Sequence, residues 1–286
     1  MCPRCKTHRS IIVKKGSYLS KYGRKIQRYF CKSCRRSFSD QTLHPSYRLR
    51  KYHRRNQIFR LLGSGVSQRQ TAKLLHLSRH TIDRYVPVLA ALARSKNEFR
   101  TKRSKAKVVV FDEMETFEHT KCKPVSIALA VEDKLGAILS IETAEMPANG
   151  RLAEISRKKY GIRNDERPQA IRKMLMKLKC NKCLEVVKSD MCPRYPKAVR
   201  EILPHVSHSP SKGRKPQPYG LGELKVGGWD PLFYLNHTAA RIRDLTKRLS
   251  RRTWCTTKLI ERLQMILEIF QYYRNQELRG KDRPVI

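Results

Sequence analysis

Two aspartates that follow strand-like segments have the type and position that phosphoryl-transfer chemistry requires. Asp112 directly follows the apolar residues 108–111, and Asp190 ends a second such segment, residues 184–190. Short valine-rich runs predict buried strands, and a carboxylate at the end of a buried strand costs desolvation energy unless a cation meets it. A single aspartate after a strand more often begins a turn than binds a metal ion. The pair, in a strongly basic protein, favours a shared site for catalytic Mg²⁺, with Mn²⁺ able to substitute for it.

The charge of the chain restricts the class of partner. The 286 residues include 63 Lys plus Arg against 24 Asp plus Glu, which gives a net charge of +39. So large an excess predicts a polyanionic partner, and the phosphate backbone of double-stranded DNA fits it best. Membrane binding would need an apolar counterpart to the charge, and no segment of the sequence approaches the length of a membrane span. We therefore expect no membrane partner.

The N-terminal cysteines have the spacing of a metal site. Four of them form two C-x2-C pairs, namely Cys2, Cys5, Cys31 and Cys34. Two such pairs can place four thiolates tetrahedrally around Zn²⁺, and the segment between them is typical of a hairpin. We predict a zinc ribbon over residues 1–44, in which structural Zn²⁺ supplies the folding energy that so small a core lacks. The other five cysteines are interpreted as structural thiols.

A helix-turn-helix pattern follows over residues 45–93. Ser67 and Ser78 have the position of N-caps before two short helices, and an alanine and leucines provide the inward face of the first. The second helix would enter the major groove of DNA, although helical hairpins that bind nothing share this pattern. The predicted DNA contacts of this domain are Gln68, Arg69, Arg79, His80, Thr81 and Arg84. The mostly charged residues 94–106 predict a basic linker.

Residues 107–286 have the element order of a nuclease-like catalytic domain. Three strands form a meander, and a helix, the strand that ends at Asp190, a further helix and a last short strand come after it. This β-β-β-α-β-α-β order is that of the ribonuclease-H-like fold, with a mixed five-stranded sheet. In that topology the ends of the first and fourth strands are neighbours, which suits Asp112 and Asp190. The whole chain is thus predicted to be a multidomain α+β protein that ends in an α/β catalytic domain and C-terminal helices.

Taken together, these features resemble the transposases of the insertion-sequence-one family. The resemblance rests on the ribbon, the helix-turn-helix, Asp112, Asp190 and the basic stretch from Arg241 to Glu261. It implies an N-terminal part that binds terminal inverted repeats and a DDE-type domain that performs Mg²⁺-dependent strand cleavage and strand transfer. It also implies a prokaryotic, nucleoid-associated protein that forms a homo-oligomer on its DNA. The DNA contacts expected from the basic stretch are Arg241, Arg248, Arg251 and Arg252.

The third acid of the family motif has no clear counterpart in this sequence. The family position aligns with Asn236, which could offer Mg²⁺ one uncharged oxygen or could only cap a helix. We place Asn236 first as the third catalytic residue. The competing acids are Glu113, Glu115, Glu223 and Glu261.

The presence of Asn236 in place of an acid keeps an alternative function open. A catalytically dead or domesticated regulator would keep the zinc ribbon and the helix-turn-helix and would lack the chemistry. In either case we expect a cytoplasmic protein, because Met1 is followed directly by a cysteine pair and not by the apolar stretch of a signal peptide. In a reducing compartment its nine cysteines serve as ligands or free thiols.

Overall fold

The computed structural model of the chain describes residues 1–6, 11–20, 23, 25–43, 47, 49, 51–212, 230–250, 256–280 and 284–286. The chain divides into two compact units, Met1–Arg54 and Arg55–Ile286. The helices that were predicted as a separate domain at 45–93 lie almost entirely in the second unit, together with the large sheet. None of the described helices combines the length and the apolar character that a membrane span requires.

The first unit contains a three-stranded antiparallel sheet. Its elements are β1 (Ile12–Leu19), β2 (Lys25–Cys31), β3 (Arg36–Ser39) and the short helix α1 (Asp40–Leu43). The predicted hairpin corresponds to β1 and β2, whereas β3 is a strand that the sequence analysis did not predict. Few side chains of this unit are buried, among them Ile26 and Cys31. So small a core agrees with a fold that depends on a bound metal.

The second unit begins with the predicted helix-turn-helix. Its helices are α2 (Arg55–Gly63), α3 (Gln68–Leu74) and α4 (Arg79–Lys102). Both predicted N-caps are present, since Ser67 Oγ accepts a hydrogen bond from Gln70 N (3.2 Å) and Ser78 Oγ accepts one from Thr81 N (3.1 Å). These bonds satisfy backbone N–H groups that the helix itself leaves without partners. The serines therefore fix where α3 and α4 begin.

Helix α4 is longer than predicted, since it continues through Pro87 and ends only at Lys102. The prediction of a basic linker at residues 94–106 is therefore wrong for most of its length. The physical reason is that one face of this stretch is buried. Asn97 and Thr101 are buried, and their side chains donate hydrogen bonds of 3.0 and 2.7 Å to backbone carbonyls of residues far away in the chain. The charged residues that suggested a linker lie mostly on the exposed face of the same helix.

The remainder of the second unit is built on a mixed five-stranded sheet, as predicted. Its strands are β4 (Val108–Phe117), β5 (Pro124–Glu132), β6 (Ile138–Glu145), β7 (Val186–Ser189) and β8 (Ser207–Pro210). The order across the sheet is β6-β5-β4-β7-β8. The β4–β5 and β5–β6 pairs are antiparallel, and the β4–β7 and β7–β8 pairs are parallel. The central strand β4 thus has a meander on one side and a parallel ladder on the other.

Helices cover both faces of this sheet. They are α5 (Leu152–Tyr160), α6 (Arg167–Leu178), α7 (Tyr195–Ile202), α8 (Phe233–Leu245) and α9 (Ile260–Glu277). One apolar core lies between the sheet and the pair α6 and α7, and it includes Phe111 and Met174. The other lies between the sheet and the pair α8 and α9, and it includes Val110 and Leu267. Alternate residues of β4 therefore enter opposite cores, which explains why its first residues read as a continuous apolar run.

One close backbone approach fixes the helix-turn-helix against the helices behind the sheet. Gly65, in the turn between α2 and α3, has φ +89°, and a Cβ atom placed on it would lie 1.4 Å from the backbone oxygen of Leu245. Only glycine permits both this conformation and this contact. The beginning of α3 and the end of α8 are therefore held at a fixed separation.

We predict that Gly65→Ala destabilises the protein far more than Gly150→Ala does. Both glycines have positive φ, but a Cβ on Gly150 meets nothing within 4 Å. Backbone strain alone costs about 1 kcal/mol, whereas Gly65→Ala must also displace Leu245, for a total of roughly 2–5 kcal/mol. Thermal unfolding of the two variants measures the difference. Equal losses of stability would contradict the close approach.

Candidate functional site

The four cysteines predicted as zinc ligands lie together in the first unit. Their sulfur atoms all lie within 4.8 Å of one another. The distance from Cys2 Sγ to Cys34 Sγ is 3.7 Å, and that from Cys5 Sγ to Cys31 Sγ is 3.6 Å. These separations are those of sulfurs at the corners of a tetrahedron with Zn–S distances of about 2.3 Å. The cluster can therefore hold one structural Zn²⁺.

The two predicted catalytic aspartates lie side by side on the large sheet. Asp112 lies inside β4 and not at its end, because the antiparallel ladder to β5 continues as far as Phe117. The parallel ladder to β7 pairs Val110 with Lys188. Asp190 directly follows β7, and continuation of this register by two residues places it beside Asp112, with the two chain segments about 4.8 Å apart. The two carboxylates therefore stand where the parallel ladder ends.

A tyrosine that the sequence analysis gave no role holds the first aspartate. The buried Tyr195, at the start of α7, donates its hydroxyl hydrogen to Asp112 Oδ1 (3.0 Å) and approaches Glu113 Oε2 (3.2 Å). The backbone N–H of Glu113 also donates to Asp112 Oδ1, at 2.7 Å. Asp112 Oδ2 has no hydrogen bond from the described residues. One oxygen of this carboxylate is therefore fixed in place, and the other remains available to a ligand.

Glu113 is itself fully engaged by its neighbours. Its Oε2 accepts a hydrogen bond from Arg194 (2.7 Å) and its Oε1 accepts one from Ser126 Oγ (2.8 Å). A carboxylate that satisfies three side chains has little capacity left for a metal ion. Glu113 thus serves better as a support for Tyr195 and Arg194 than as the third metal ligand.

Asp190 is held by a second network. Its Oδ1 accepts a hydrogen bond from Cys192 N (3.0 Å), and the hydroxyl of the buried Ser189 donates to its backbone oxygen (2.7 Å). Because that hydroxyl hydrogen is already used, the contact of 2.9 Å between Ser189 Oγ and His208 Nε2 requires His208 to donate. Burial lowers the pKa of His208, which agrees with this neutral tautomer. As in Asp112, one oxygen of Asp190 stays without a hydrogen bond from the described residues.

The electrostatics of Asp112 reflect its surroundings. Burial is the main cause that raises the pKa of this carboxyl to about 6, and the charges of Asp190 and Glu113 act in the same direction. The hydrogen bonds from Glu113 N and from Tyr195 oppose this rise. A carboxylate that is buried beside a second carboxylate is stabilised by a cation between them. The arrangement is therefore suited to a divalent metal ion.

The third ligand is not assembled in the part of the chain that the structure describes. Apart from the cysteine cluster, no three His, Cys, Asp or Glu side chains come close enough there to share an ion. Asn236 lies exposed in the first turn of α8, and its Nδ2 donates to Asp230 Oδ2 (2.9 Å). Asp230, an acid that the sequence analysis missed, also accepts from Leu232 N (3.0 Å). It had no sequence signal, because it follows no strand or motif.

The other candidates for the third acid lie apart from this pair or outside the described residues. Glu115 is exposed on β4, and Glu261 is exposed in the first turn of α9. Glu223 lies outside the described residues. Asn236 therefore stays a prediction that depends on α8, a helix that packs against β4 and β5.

Several predicted DNA contacts meet at one cavity of the second unit. This cavity of about 350 Å³ lies between the start of the helix-turn-helix and the segment before α9. Its wall includes Gln68 and five cationic side chains, and we call it the basic groove: Arg69, Arg79, Lys247, Arg248 and Lys258. As far as described residues form this wall, none of them is acidic. Lys247 and Lys258 belong to the basic stretch from Arg241 to Glu261, although neither was named among its individual DNA contacts.

The remaining predicted DNA contacts lie elsewhere. His80, Thr81 and Arg84 are in the first two turns of α4, outside the wall of the basic groove. Arg241 lines a smaller cavity of about 170 Å³ beside α9. Arg251 and Arg252 lie outside the described residues.

Comparison with known proteins identifies the helix-turn-helix. A family model described as the helix-turn-helix domain of resolvase matches residues 48–88, the segment that contains α2, α3 and the start of α4. No curated protein sequence matches the chain. The match confirms the predicted helix-turn-helix, and a domain of this type implies that the chain binds DNA.

We predict that the protein contains one Zn²⁺ per chain and that Cys31→Ser removes it. Cys31 is buried within the cluster, and a serine oxygen is a poor substitute for a thiolate. Elemental analysis of the purified protein measures the metal. Cys180→Ser is the matched control, since Cys180 is exposed and lies outside the cluster. If Cys31→Ser retained its zinc, the cysteine cluster would not be the zinc site.

We also predict that Asp112→Asn stabilises the protein in the absence of divalent metal. The pKa of Asp112 rises from 3.8 to about 6 on folding, so the folded state binds more protons between these values and stability falls as the pH rises through them. At pH 8 the variant should gain roughly 1–3 kcal/mol, and at pH 4 much less.

Urea unfolding at the two pH values measures this gain. The control is Asp244→Asn, at an exposed position on α8, which should change stability little at either pH. A loss of stability in Asp112→Asn at pH 8 would contradict the electrostatics of the pair.

Proposed function

We propose that this protein is a DNA transposase with a ribonuclease-H-like catalytic domain, similar to the insertion-sequence-one family. The observation that carries the proposal is the pair of Asp112, on β4, and Asp190, directly after β7, each with one carboxylate oxygen that accepts no hydrogen bond from the described residues. The sheet order β6-β5-β4-β7-β8, with its antiparallel and parallel pairs, supports the ribonuclease-H-like assignment. The helix-turn-helix of resolvase type supports a role in DNA recombination.

The two aspartates, with Asn236 as the third residue, would hold Mg²⁺ or Mn²⁺ in this function. Bound at the pair, the metal supplies Lewis-acid chemistry for phosphoryl transfer. Carboxylate oxygens suit such hard cations, and each aspartate provides one that accepts no hydrogen bond from the described residues. Tyr195 and the Glu113–Arg194 ion pair keep Asp112 in one orientation, and Ser189 and Cys192 do the same for Asp190.

The remaining parts of the chain would bring DNA to these carboxylates. The helix-turn-helix would bind the terminal inverted repeats of the element, and the excess of positive charge would hold the phosphates of both element and target DNA. Because two ends must meet in one reaction, a homo-oligomer on the DNA is part of the proposal. The location that this function requires is the bacterial or archaeal nucleoid.

A specific observation favours a second function. The described residues bring no third acid close enough to share an ion with Asp112 and Asp190, and Asn236 carries no charge. A regulator that binds DNA through the zinc ribbon and the helix-turn-helix without cutting it would need no such acid.

We predict that Asp112→Asn and Asp190→Asn bind end-containing DNA as the wild type does but lose metal-dependent cleavage and strand transfer. Each variant keeps its shape and hydrogen bonds but removes a charge that the metal needs. The substrate is DNA that flanks the gene of this protein, and nicks are mapped at nucleotide resolution with Mg²⁺ added.

The matched control is Asp244→Asn, which should cleave as the wild type does, because Asp244 is exposed on α8. Cleavage by either active-site variant at the wild-type rate would refute the assignment. Binding without cleavage by the wild type itself, with Mg²⁺ and with Mn²⁺, would instead favour the regulator.

A further inference from the structure

The basic groove joins two parts of the chain that have separate roles in the proposed function. Arg69 and Arg79 belong to the helix-turn-helix, whereas Lys247 and Lys258 flank the connection between α8 and α9, the helices behind the catalytic sheet. The approach of Gly65 to Leu245 holds these two walls together. The groove is therefore a fixed feature of one compact unit and not a gap between mobile domains.

Four of the five cations of the basic groove have no ion pair within the part of the chain that the structure describes. Arg69, Arg79, Lys247 and Lys258 are all exposed, and none of them forms an ion pair with a described residue. Positive side chains around one cavity repel each other, and a polyanion relieves this repulsion. Several cations in the wall of one groove suit a phosphate backbone, which carries many charges, better than a single small anion.

One residue connects the groove to the DNA that the helix-turn-helix would read. Arg79 is the first residue of α4, whose N-terminal turns would enter the major groove of DNA. It also lies in the wall of the basic groove. The phosphates of a duplex read by α4 would therefore lie beside the wall that contains Lys247 and Lys258.

We propose that the basic groove is a phosphate-binding track, in which Lys247 and Lys258 hold the backbone of the duplex that α4 reads. This inference rests on the proposed function only in its assumption that the helix-turn-helix binds duplex DNA. The lysines contact phosphates, which are the same in every sequence, so they add affinity without sequence preference. The track also ties the bound duplex to the connection between α8 and α9, and hence fixes it relative to the sheet that carries Asp112.

The test uses a full-length double variant that carries both Lys247→Ala and Lys258→Ala. It is compared with the full-length wild-type protein. Binding to an end-containing duplex and to an unrelated duplex of equal length is measured over a range of salt concentrations. Loss of two phosphate contacts lowers the slope of log K against log[salt] by about 2 in magnitude. The slope should fall equally for both duplexes, and the preference for end DNA should stay unchanged.

Two further variants make the result specific. The double variant Lys247→Arg with Lys258→Arg keeps the charges and should restore the wild-type slope. The double variant Lys173→Ala with Lys182→Ala removes two exposed lysines on and just after α6, on the other face of the sheet, and should leave the slope near that of the wild type.

Each other outcome is decisive. An unchanged slope in the Lys247 and Lys258 double variant, or an equal fall in the α6 control, overturns the track. A fall seen with single-stranded RNA but not with duplex DNA also overturns it. The salt dependence is measured on DNA binding alone and requires no cleavage. Failure of the proposed transposase function is therefore detected separately, as DNA binding by the wild type without cleavage.

Discussion

The fold of the second unit brings two negative charges together in a protein that is otherwise strongly positive. Asp112 is half-buried in the central strand, and burial together with the charge of Asp190, which directly follows β7, raises the pKa of Asp112 to about 6. Two neighbouring carboxylates without a cation between them lower the stability of the folded state. They stay together because the strand pairings on both sides of β4 determine their positions. Repulsion between neighbouring carboxylates, with a raised pKa as its result, is typical of sites that bind a cation for function.

Hydrogen bonds from the surrounding residues keep the two aspartates in place despite their mutual repulsion. Tyr195 fixes Asp112 from the start of α7, and Arg194 beside it neutralises Glu113. Ser189, at the end of β7, fixes the backbone at Asp190, and His208 on the neighbouring strand β8 holds the Ser189 hydroxyl. As far as the described residues go, each aspartate thus has one oxygen fixed by protein donors and one that accepts no hydrogen bond, and such preorganisation favours the binding of a ligand.

The sequence predicted those parts of the structure that local patterns determine. The cysteine spacing located the metal cluster, the serine caps located α3 and α4, and the valine-rich runs located the strands that bear Asp112 and Asp190. It did not predict the length of α4, because the burial of Asn97 depends on contacts with a distant helix. For the same reason it gave Tyr195 no role, since only the packing of α7 on the sheet brings that hydroxyl to Asp112.

The proposed function requires Asp112 and Asp190 to bind a divalent cation jointly. Crystals of the protein soaked in Mn²⁺ test this most directly, because the anomalous scattering of manganese locates the ion. We predict an anomalous peak between the two aspartates that contacts an oxygen of each and is absent from crystals of Asp190→Asn. Manganese found only elsewhere, or a pair of carboxylates with no peak between them at saturating Mn²⁺, would contradict the account.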